Sequence, residues 1–243
     1  KILNSIVKDN PFMVGGSADL FGAVKTYIND GGDLSYKNYS GQNIYFGIRE
    51  HAMGAILNGL ALCGYRVYGS TFLSFSNYMM PAIRMSAMLN LPITYIFTHD
   101  SISLGEDGAT HQPVEQLAFF RTMPNVTVYR PCDANEVIGV YKTIMKENNG
   151  VSIISLSKTI LPILETTKAT DVSRGAYVVR EERRKLDGIL ISTGEEVHSA
   201  IEVSERLETK GFDIRVVSMP CIERFLENDS EYIDEVLPVG KKK

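Results

Sequence analysis

Three cysteines are all that these 243 residues contain, at Cys63, Cys132 and Cys221. Their number is odd and they follow no metal-ligand spacing, which points to thiols kept reduced in the cytoplasm. An excess of charge of either sign is missing too: 25 Lys and Arg face 29 Asp and Glu, a net charge of -4. That slightly acidic balance argues against nucleic acid or a membrane surface as the main partner. No apolar run approaches transmembrane length. There is no repeat, no low-complexity tract and no secretory signal, and the chain opens on Lys1 rather than Met, so a natural start upstream is expected. What is left, 44% hydrophobic and 22% charged, is the composition of an ordinary globular protein of one or two domains.

Strand-like and helix-like segments alternate along the chain. Residues 12–17 read as a strand running into a Gly turn and 43–47 as a second short strand. Residues 49–62 read as a helix, with Met53, Ile56, Leu57, Leu60 and Ala61 at helical spacing. A strand is expected at 66–70, and a helix at 74–89 that bends or restarts near Pro81. The continuous apolar run at 93–97 is a buried strand. A short helix at 114–121, a strand at 126–129, a helix at 133–147 with Asp133 as its N-cap, and a strand at 151–156 follow. This rhythm predicts an α/β fold, a parallel sheet covered by helices on both faces.

The composition changes at 159–173, which holds Pro162 and few periodic apolar residues and reads as a linker between domains at 1–158 and 174–243. The second domain offers strands at 176–179, 188–192 and 213–218 and a helix at 195–210. One βαβ unit with an edge piece, about 70 residues, is marginal as a free-standing domain because small units bury little surface.

The most informative stretch follows the buried strand at 93–97. Thr98, His99, Asp100, Glu106, Asp107, Thr110 and His111 crowd into one loop with Gly105 and Gly108. Loops at strand C-termini of open α/β sheets are where ligands bind. Two His bracketing an acid suit proton transfer near neutral pH, although a lone His is more often structural. A second stretch, Tyr45-Phe46-Gly47-Ile48-Arg49-Glu50-His51-Ala52-Met53, opens the helix at 49–62. By itself Glu50 there is an ordinary first-turn acid favoured by the helix dipole. Arg49 is either its charge partner or a surface residue, and His51 reads as a packing residue. Phe72, Phe75 and Tyr78 fall three apart, a stripe that is usually core.

Both stretches, in this order, resemble transketolases, the thiamine-diphosphate enzymes that move two-carbon ketol units between sugar phosphates. The resemblance covers most of the chain: 1–158 resembles the pyrimidine-binding domain, a thiamine-diphosphate pyrimidine-binding fold, and 174–243 an incomplete α/β C-terminal domain. It implies that Glu50 is catalytic and hydrogen-bonds the ring nitrogen of the cofactor's aminopyrimidine, favouring the imino tautomer. Phe72, Phe75 and Tyr78 would wall that ring, with Phe75 its stacking partner. Asp19, in Gly15-Gly16-Ser17-Ala18-Asp19-Leu20, would lie near the cofactor. His99 and His111 would contact the sugar's hydroxyls and carbonyl, with His111 taking part in catalysis, and Asp107 would bind the acceptor's hydroxyl.

The chain departs from the family at two places. Phe21-Gly22-Ala23 stands where a phosphate-binding serine is expected, and Leu156-Ser157-Lys158 replaces a Leu-Ser-Arg pattern. Lys158 can still bind an anion, as a point charge rather than a planar fork. A further phosphate-binding arginine of the family would fall before Lys1. The Gly-Asp-Gly motif that holds the diphosphate and its Mg2+ or Ca2+ is absent.

The resemblance therefore implies the C-terminal part of a transketolase of the pentose phosphate pathway, a truncated piece or one subunit of a split enzyme. Its partners would be phosphosugars and a diphosphate-binding transketolase domain or subunit, in a cytoplasmic homodimer or heterotetramer. The alternatives are a related ketolase such as dihydroxyacetone synthase, kept open by Ala23 and Lys158, and a catalytically silent assembly module. The deoxyxylulose-phosphate synthase group fits less well, since its glutamate motif lacks the Arg-Glu-His-Ala-Met order.

Overall fold

Two strands, β1 (Met13–Ser17) and β4 (Ile93–Thr98), are buried at every position. Strands covered on both faces carry this pattern. The computed structural model describes residues 1–147 and 150–240. In it β1 and β4 join β2 (Asn43–Tyr45), β3 (Arg66–Phe72), β5 (Val126–Tyr129) and β6 (Val151–Leu156) in a six-stranded sheet of order β2-β1-β3-β4-β6-β5. The pairings from β2 through β6 are all parallel. This is the α/β architecture that the alternating segments predict. The register aligns Phe72 with Thr98 and Thr98 with Leu156, so the C-terminal ends of three strands lie level.

Glycine allows the close approach at β1. A Cβ on Gly16 would stand 1.9 Å from the carbonyl oxygen of Ile44, so no other residue fits between β1 and β2 there. The helix α3 (Glu50–Leu62) buries Glu50, Met53, Gly54, Leu57, Asn58 and Ala61, one stripe at helical spacing. Its glycine packs tightly: a Cβ on Gly54 would meet Ala82 at 2.7 Å, on α4 (Met80–Met88).

The helix expected over 74–89 is divided. Residues Ser74–Met79 form a 3-10 helix, and α4 begins afresh with Pro81 in its first turn. Proline has no N–H to donate and its fixed φ suits a helix start, which explains the break. Short helices α1 (Ile2–Lys8) and α2 (Phe21–Val24), together with α5 (Gln116–Arg121) and α6 (Ala134–Lys146), complete the first half of the chain. Asp133 caps α6 as expected, its Oδ1 accepting from the Glu136 N–H at 3.0 Å.

The second sheet has order β7-β9-β8, built from β7 (Tyr177–Arg180), β8 (Gly188–Ser192) and β9 (Ile214–Ser218), with α7 (Glu196–Glu208) joining β8 to β9. The β8–β9 pairing is parallel and β7–β9 antiparallel, the expected βαβ unit with an edge strand. Helices α8 (Ile222–Leu226) and α9 (Ser230–Val236) help close a core around Ala176, Leu186, Ile189, Val217 and Phe225.

The chain forms two compact units, Lys1–Thr127 with Glu147–Lys158, and Val128–Lys146 with the residues from Thr159 onward. Buried polar groups explain why α6 belongs to the second. Thr167 donates to Asp133 at 2.6 Å, while Tyr177 and Ser218 donate to Glu136 at 2.8 and 2.6 Å. Among the described residues no helix is long and apolar enough to cross a membrane.

Candidate functional site

The level ends of β3, β4 and β6 build the site, which lies within the first unit. Phe72 ends β3 and is 7% exposed. Its ring stacks on His99, centroids 3.8 Å apart and planes 29° from parallel. His99 follows β4 directly, with φ at +62°, a left-handed turn that few non-glycine residues adopt. The turn folds the imidazole back onto Phe72, where it is buried. Phe75, on the 3-10 helix after β3, lies 5.6 Å from Phe72 and nearly parallel to it. His111 ends a second 3-10 turn, Ala109–His111, and meets Phe75 edge-on at 5.0 Å and Phe72 at 5.9 Å. Two histidines and two phenylalanines thus form one aromatic wall. Tyr78 joins its margin, 6.3 Å from Phe75 and largely exposed.

A charged group borders the wall. The Lys158 ammonium, just beyond β6, hydrogen-bonds the Glu106 carboxylate and lies 3.3 Å from Asp107. The bond from Glu106, reinforced by Asp107, raises the pKa of that amine against its desolvation. Burial lowers the His99 pKa, and the charges of Lys158 and His111 act in the same direction while Asp107 opposes them. His99 is therefore a neutral imidazole at pH 7, able to accept or donate one proton.

Each histidine has a hydroxyl on its inner nitrogen. Thr98 Oγ1 lies 2.8 Å from His99 Nδ1, and Thr110 Oγ1 lies 2.9 Å from His111 Nδ1. The sequence reading gives these threonines no role, although a Thr directly before each His of one loop is there to be seen.

Glu50 is the first residue of α3 and is 8% exposed. Among the described residues its carboxylate has no hydrogen-bond or ion-pair partner. The Arg49 guanidinium donates instead to the Phe46 carbonyl at 3.0 Å, and the reason is local: the turn at Gly47, φ +68°, brings that carbonyl under Arg49. His51, expected to pack, is exposed, because it lies off the buried stripe of α3. Asp19 is exposed on a left-handed turn, φ +65°, after β1. The structure thus gathers Phe72, Phe75, His99, Asp107, His111 and Lys158, while neither Asp19 nor Glu50 bonds to that group.

Sequence reasoning also missed two hydroxyls that flank Phe72. Thr71 Oγ1 and Ser74 Oγ are buried and, among the described residues, without a hydrogen-bond partner. Buried polar atoms left in this state cost about 1–3 kcal/mol each, and they cluster where ligands bind. Among the described residues no group of three or more His, Cys, Asp or Glu side chains is placed to hold a metal ion.

The comparisons with known proteins agree along the whole chain. The family described as the transketolase pyrimidine-binding domain matches residues 1–163, and that described as the transketolase-like C-terminal domain matches residues 175–243. A transketolase of Bacillus subtilis is 47% identical over 248 residues, an alignment covering 100% of this chain and 37% of the relative. The crystal structure of a Pichia stipitis transketolase in complex with sedoheptulose 7-phosphate superposes with a TM-score of 0.93 at 42% identity, over 97% of this chain and 36% of that one. A split-gene transketolase, described as an inactive beta4 tetramer, superposes with a TM-score of 0.77 at 26% identity, over 97% of this chain and 73% of that one. The chain thus spans little more than a third of the length of the Bacillus relative. Since one family or the other accounts for nearly every residue, and the fold agrees with both, this chain belongs to the transketolase family, of which it carries the pyrimidine-binding and C-terminal domains.

Proposed function

We propose that this chain is the C-terminal part of a transketolase and takes part in two-carbon ketol transfer between sugar phosphates. The observation that carries the proposal is Glu50, a largely buried residue at the start of α3 whose carboxylate makes no hydrogen bond or ion pair among the described residues. Its acceptor sites are open for a ligand to fill. The ring nitrogen of an aminopyrimidine would fill one, and the flat wall of Phe72 and Phe75, with Tyr78 at its margin, answers the need of a flat ring for an apolar surface. The residues present therefore fit thiamine diphosphate. When bound, this cofactor supplies a carbon nucleophile and an electron sink for cleaving the bond beside a ketose carbonyl.

The chain's own residues supply the rest. Glu50 holds a proton shared with the pyrimidine nitrogen in a water-poor pocket. His99 and His111 carry protons to and from the sugar's oxygens, His99 as a neutral imidazole. Asp107 accepts a hydrogen bond from the acceptor's hydroxyl. Lys158 attracts the acceptor's phosphate, in competition with Glu106 and Asp107. Asp19 lies toward the cofactor.

The diphosphate and its Mg2+ or Ca2+ belong to a separate domain, so the working enzyme is an assembly, a homodimer or a heterotetramer, in the cytoplasm. The split-gene relative supports a division of labour between subunits, and the sugar phosphate bound to the Pichia relative supports the substrate class. A second reading, a ketolase with an unphosphorylated acceptor such as dihydroxyacetone synthase, draws on Ala23 and on the two carboxylates that already engage Lys158.

The test is ketol transfer from xylulose 5-phosphate to ribose 5-phosphate, with thiamine diphosphate and magnesium present. The chain is assayed alone and with a purified diphosphate-binding transketolase half. Turnover in the mixture only is the expected result. No turnover with ribose 5-phosphate but turnover with short unphosphorylated aldehydes favours the second reading, and none with any acceptor removes the catalytic proposal.

A further inference from the structure

The buried stripe of α3 holds two polar side chains, Glu50 and Asn58, and they are treated in opposite ways. The Glu50 carboxylate bonds to nothing among the described residues. Asn58, about two turns further along and about 12 Å down the helix axis, is fully engaged. Its Oδ1 accepts from Ser86 Oγ at 2.6 Å, and its Nδ2 donates to the Ala82 carbonyl at 3.1 Å, both on α4. Ser86 Oγ also lies 3.0 Å from the Ala82 carbonyl and 3.0 Å from the Tyr95 hydroxyl of β4. A serine has one proton, and the shorter contact to Asn58 takes it, so Tyr95 donates to Ser86. Burial raises the Tyr95 pKa, which keeps that donor protonated. A polar chain thus runs from β4 through α4 to α3, inside the first unit.

We infer that Asn58 is a positioning residue for Glu50: its bonds to Ser86 and Ala82, backed by Tyr95, set the rotation and register of α3 and so place the carboxylate at the head of that helix. The rest of the stripe, Met53, Gly54, Leu57 and Ala61, packs through apolar contacts, which have no direction. A helix held by such contacts alone can turn or slide at little cost, whereas a single buried Asn in an apolar helix interface fixes register. Gly54, one turn before Asn58, shows how closely the register is fitted. A Cβ there would stand 2.7 Å from Ala82 and 3.8 Å from the Tyr95 hydroxyl. No hydrogen bond of its own among the described residues holds Glu50, so its position follows that of α3.

This role deepens the ketol-transfer reading and rests on it, because a proton shared with a cofactor ring demands a carboxylate placed to within about 1 Å. The test removes the polar chain whole. Asn58→Leu, Ser86→Ala and Tyr95→Phe together put apolar side chains of related shape at all three positions and leave none of the three with an unpaired polar group. The triple variant should therefore melt within about 4 °C of the wild type. The first readout needs no turnover. In the full chain the nuclear Overhauser contact between the Gly54 α protons and the Ala82 methyl group should be strong in the wild type and weakened in the variant. In the assembled enzyme, saturated with thiamine diphosphate and magnesium, kcat should fall about 10²-fold while the KM for xylulose 5-phosphate stays unchanged, since the residues proposed to meet the sugar lie on other elements. An unchanged Overhauser contact, a wild-type kcat, or a loss through KM alone overturns the positioning role. Should the triple variant fail to fold, Asn58→Ser, whose hydroxyl is too short to reach both partners, takes its place with the same expectations. An assembled wild type that transfers no ketol unit sinks the functional reading instead, while the Overhauser contact still decides whether Asn58 keys α3.

Discussion

Replacing Glu136 by Gln should destabilise the second unit strongly at low pH and less as the pH rises. The carboxyl of Glu136 is fully buried. One oxygen accepts from Tyr177 and Ser218, and the other accepts from the Cys132 N–H at 2.7 Å. The amide introduced by Glu136→Gln keeps an acceptor for the two hydroxyls and sets an NH2 group against the Cys132 N–H. Losing that bond and burying an unpaired donor costs about 1–3 kcal/mol. The pH term opposes this. Burial raises the Glu136 pKa, and the bonds from Ser218, Cys132 and Tyr177 lower it by less. The unfolded chain releases this proton near pH 4.5 and the folded one at a higher value. Between the two, the folded state binds more protons, so wild-type stability falls with rising pH by up to about 1.4 kcal/mol per unit. Gln does not titrate. The gap between wild type and Glu136→Gln should therefore be widest near pH 4.5 and narrow above it. Urea unfolding followed by circular dichroism at pH 5 and pH 8 measures the gap through the shift in midpoint. A gap that widens with pH would show that the ionised carboxylate is the form the fold prefers, and the reasoning from burial would be refuted.

Other expectations concern the site and its support. Glu50→Gln should nearly abolish turnover in an assembled enzyme while leaving the chain's circular dichroism and melting temperature unchanged within about 1 °C, since the carboxylate makes no bond among the described residues; normal turnover would remove Glu50 from the mechanism. Lys158→Arg should lower the KM for a phosphorylated acceptor by presenting a fork where a point charge now stands, and an unchanged KM would count against a phosphate beside Lys158. Gly54→Ala should destabilise the chain by about 1–3 kcal/mol through overpacking against Ala82, despite its better helix propensity. Adding Ala82→Gly should recover much of that loss in a thermal melt, and additive losses would mean the two sites do not touch. Because the His99 pKa is lowered, the wild type should lose stability relative to His99→Gln as the pH falls below about 6.5, the unfolded imidazole's value.

The parts of the site that sequence made legible share a physical origin. The apolar run of β4, the spacing of Met53 and Leu57 on α3, and the proline that restarts α4 all act within one turn or one strand, where periodicity and backbone chemistry decide. Asp133 is legible for the same reason, because a cap reaches only three residues along its own chain. Most of what was missed depends on which distant segments meet. An acid at position 136 of an amphipathic helix reads as solvent-facing until Tyr177 and Ser218 close over it from β7 and β9. Strand composition does not carry direction, so the antiparallel pairing of β7 could not be told from a parallel one.

Lys158 illustrates the difference most clearly. As a residue type it announces an available cation, and read alone it suggests an anion site. The register of β4 and β6 sets it level with the loop after Thr98, and there Glu106 and Asp107, more than fifty positions earlier, already share its charge. In the proposed reaction an acceptor's phosphate therefore has to compete with two carboxylates for one ammonium. Whether it succeeds depends on how exposed those pairs are. Glu106 is 74% exposed at its side chain and Lys158 34%, a setting in which ion pairs are weak and readily exchanged. On the proposed reading the pairing serves as a replaceable counterion, which holds the Lys158 ammonium until a stronger anion arrives.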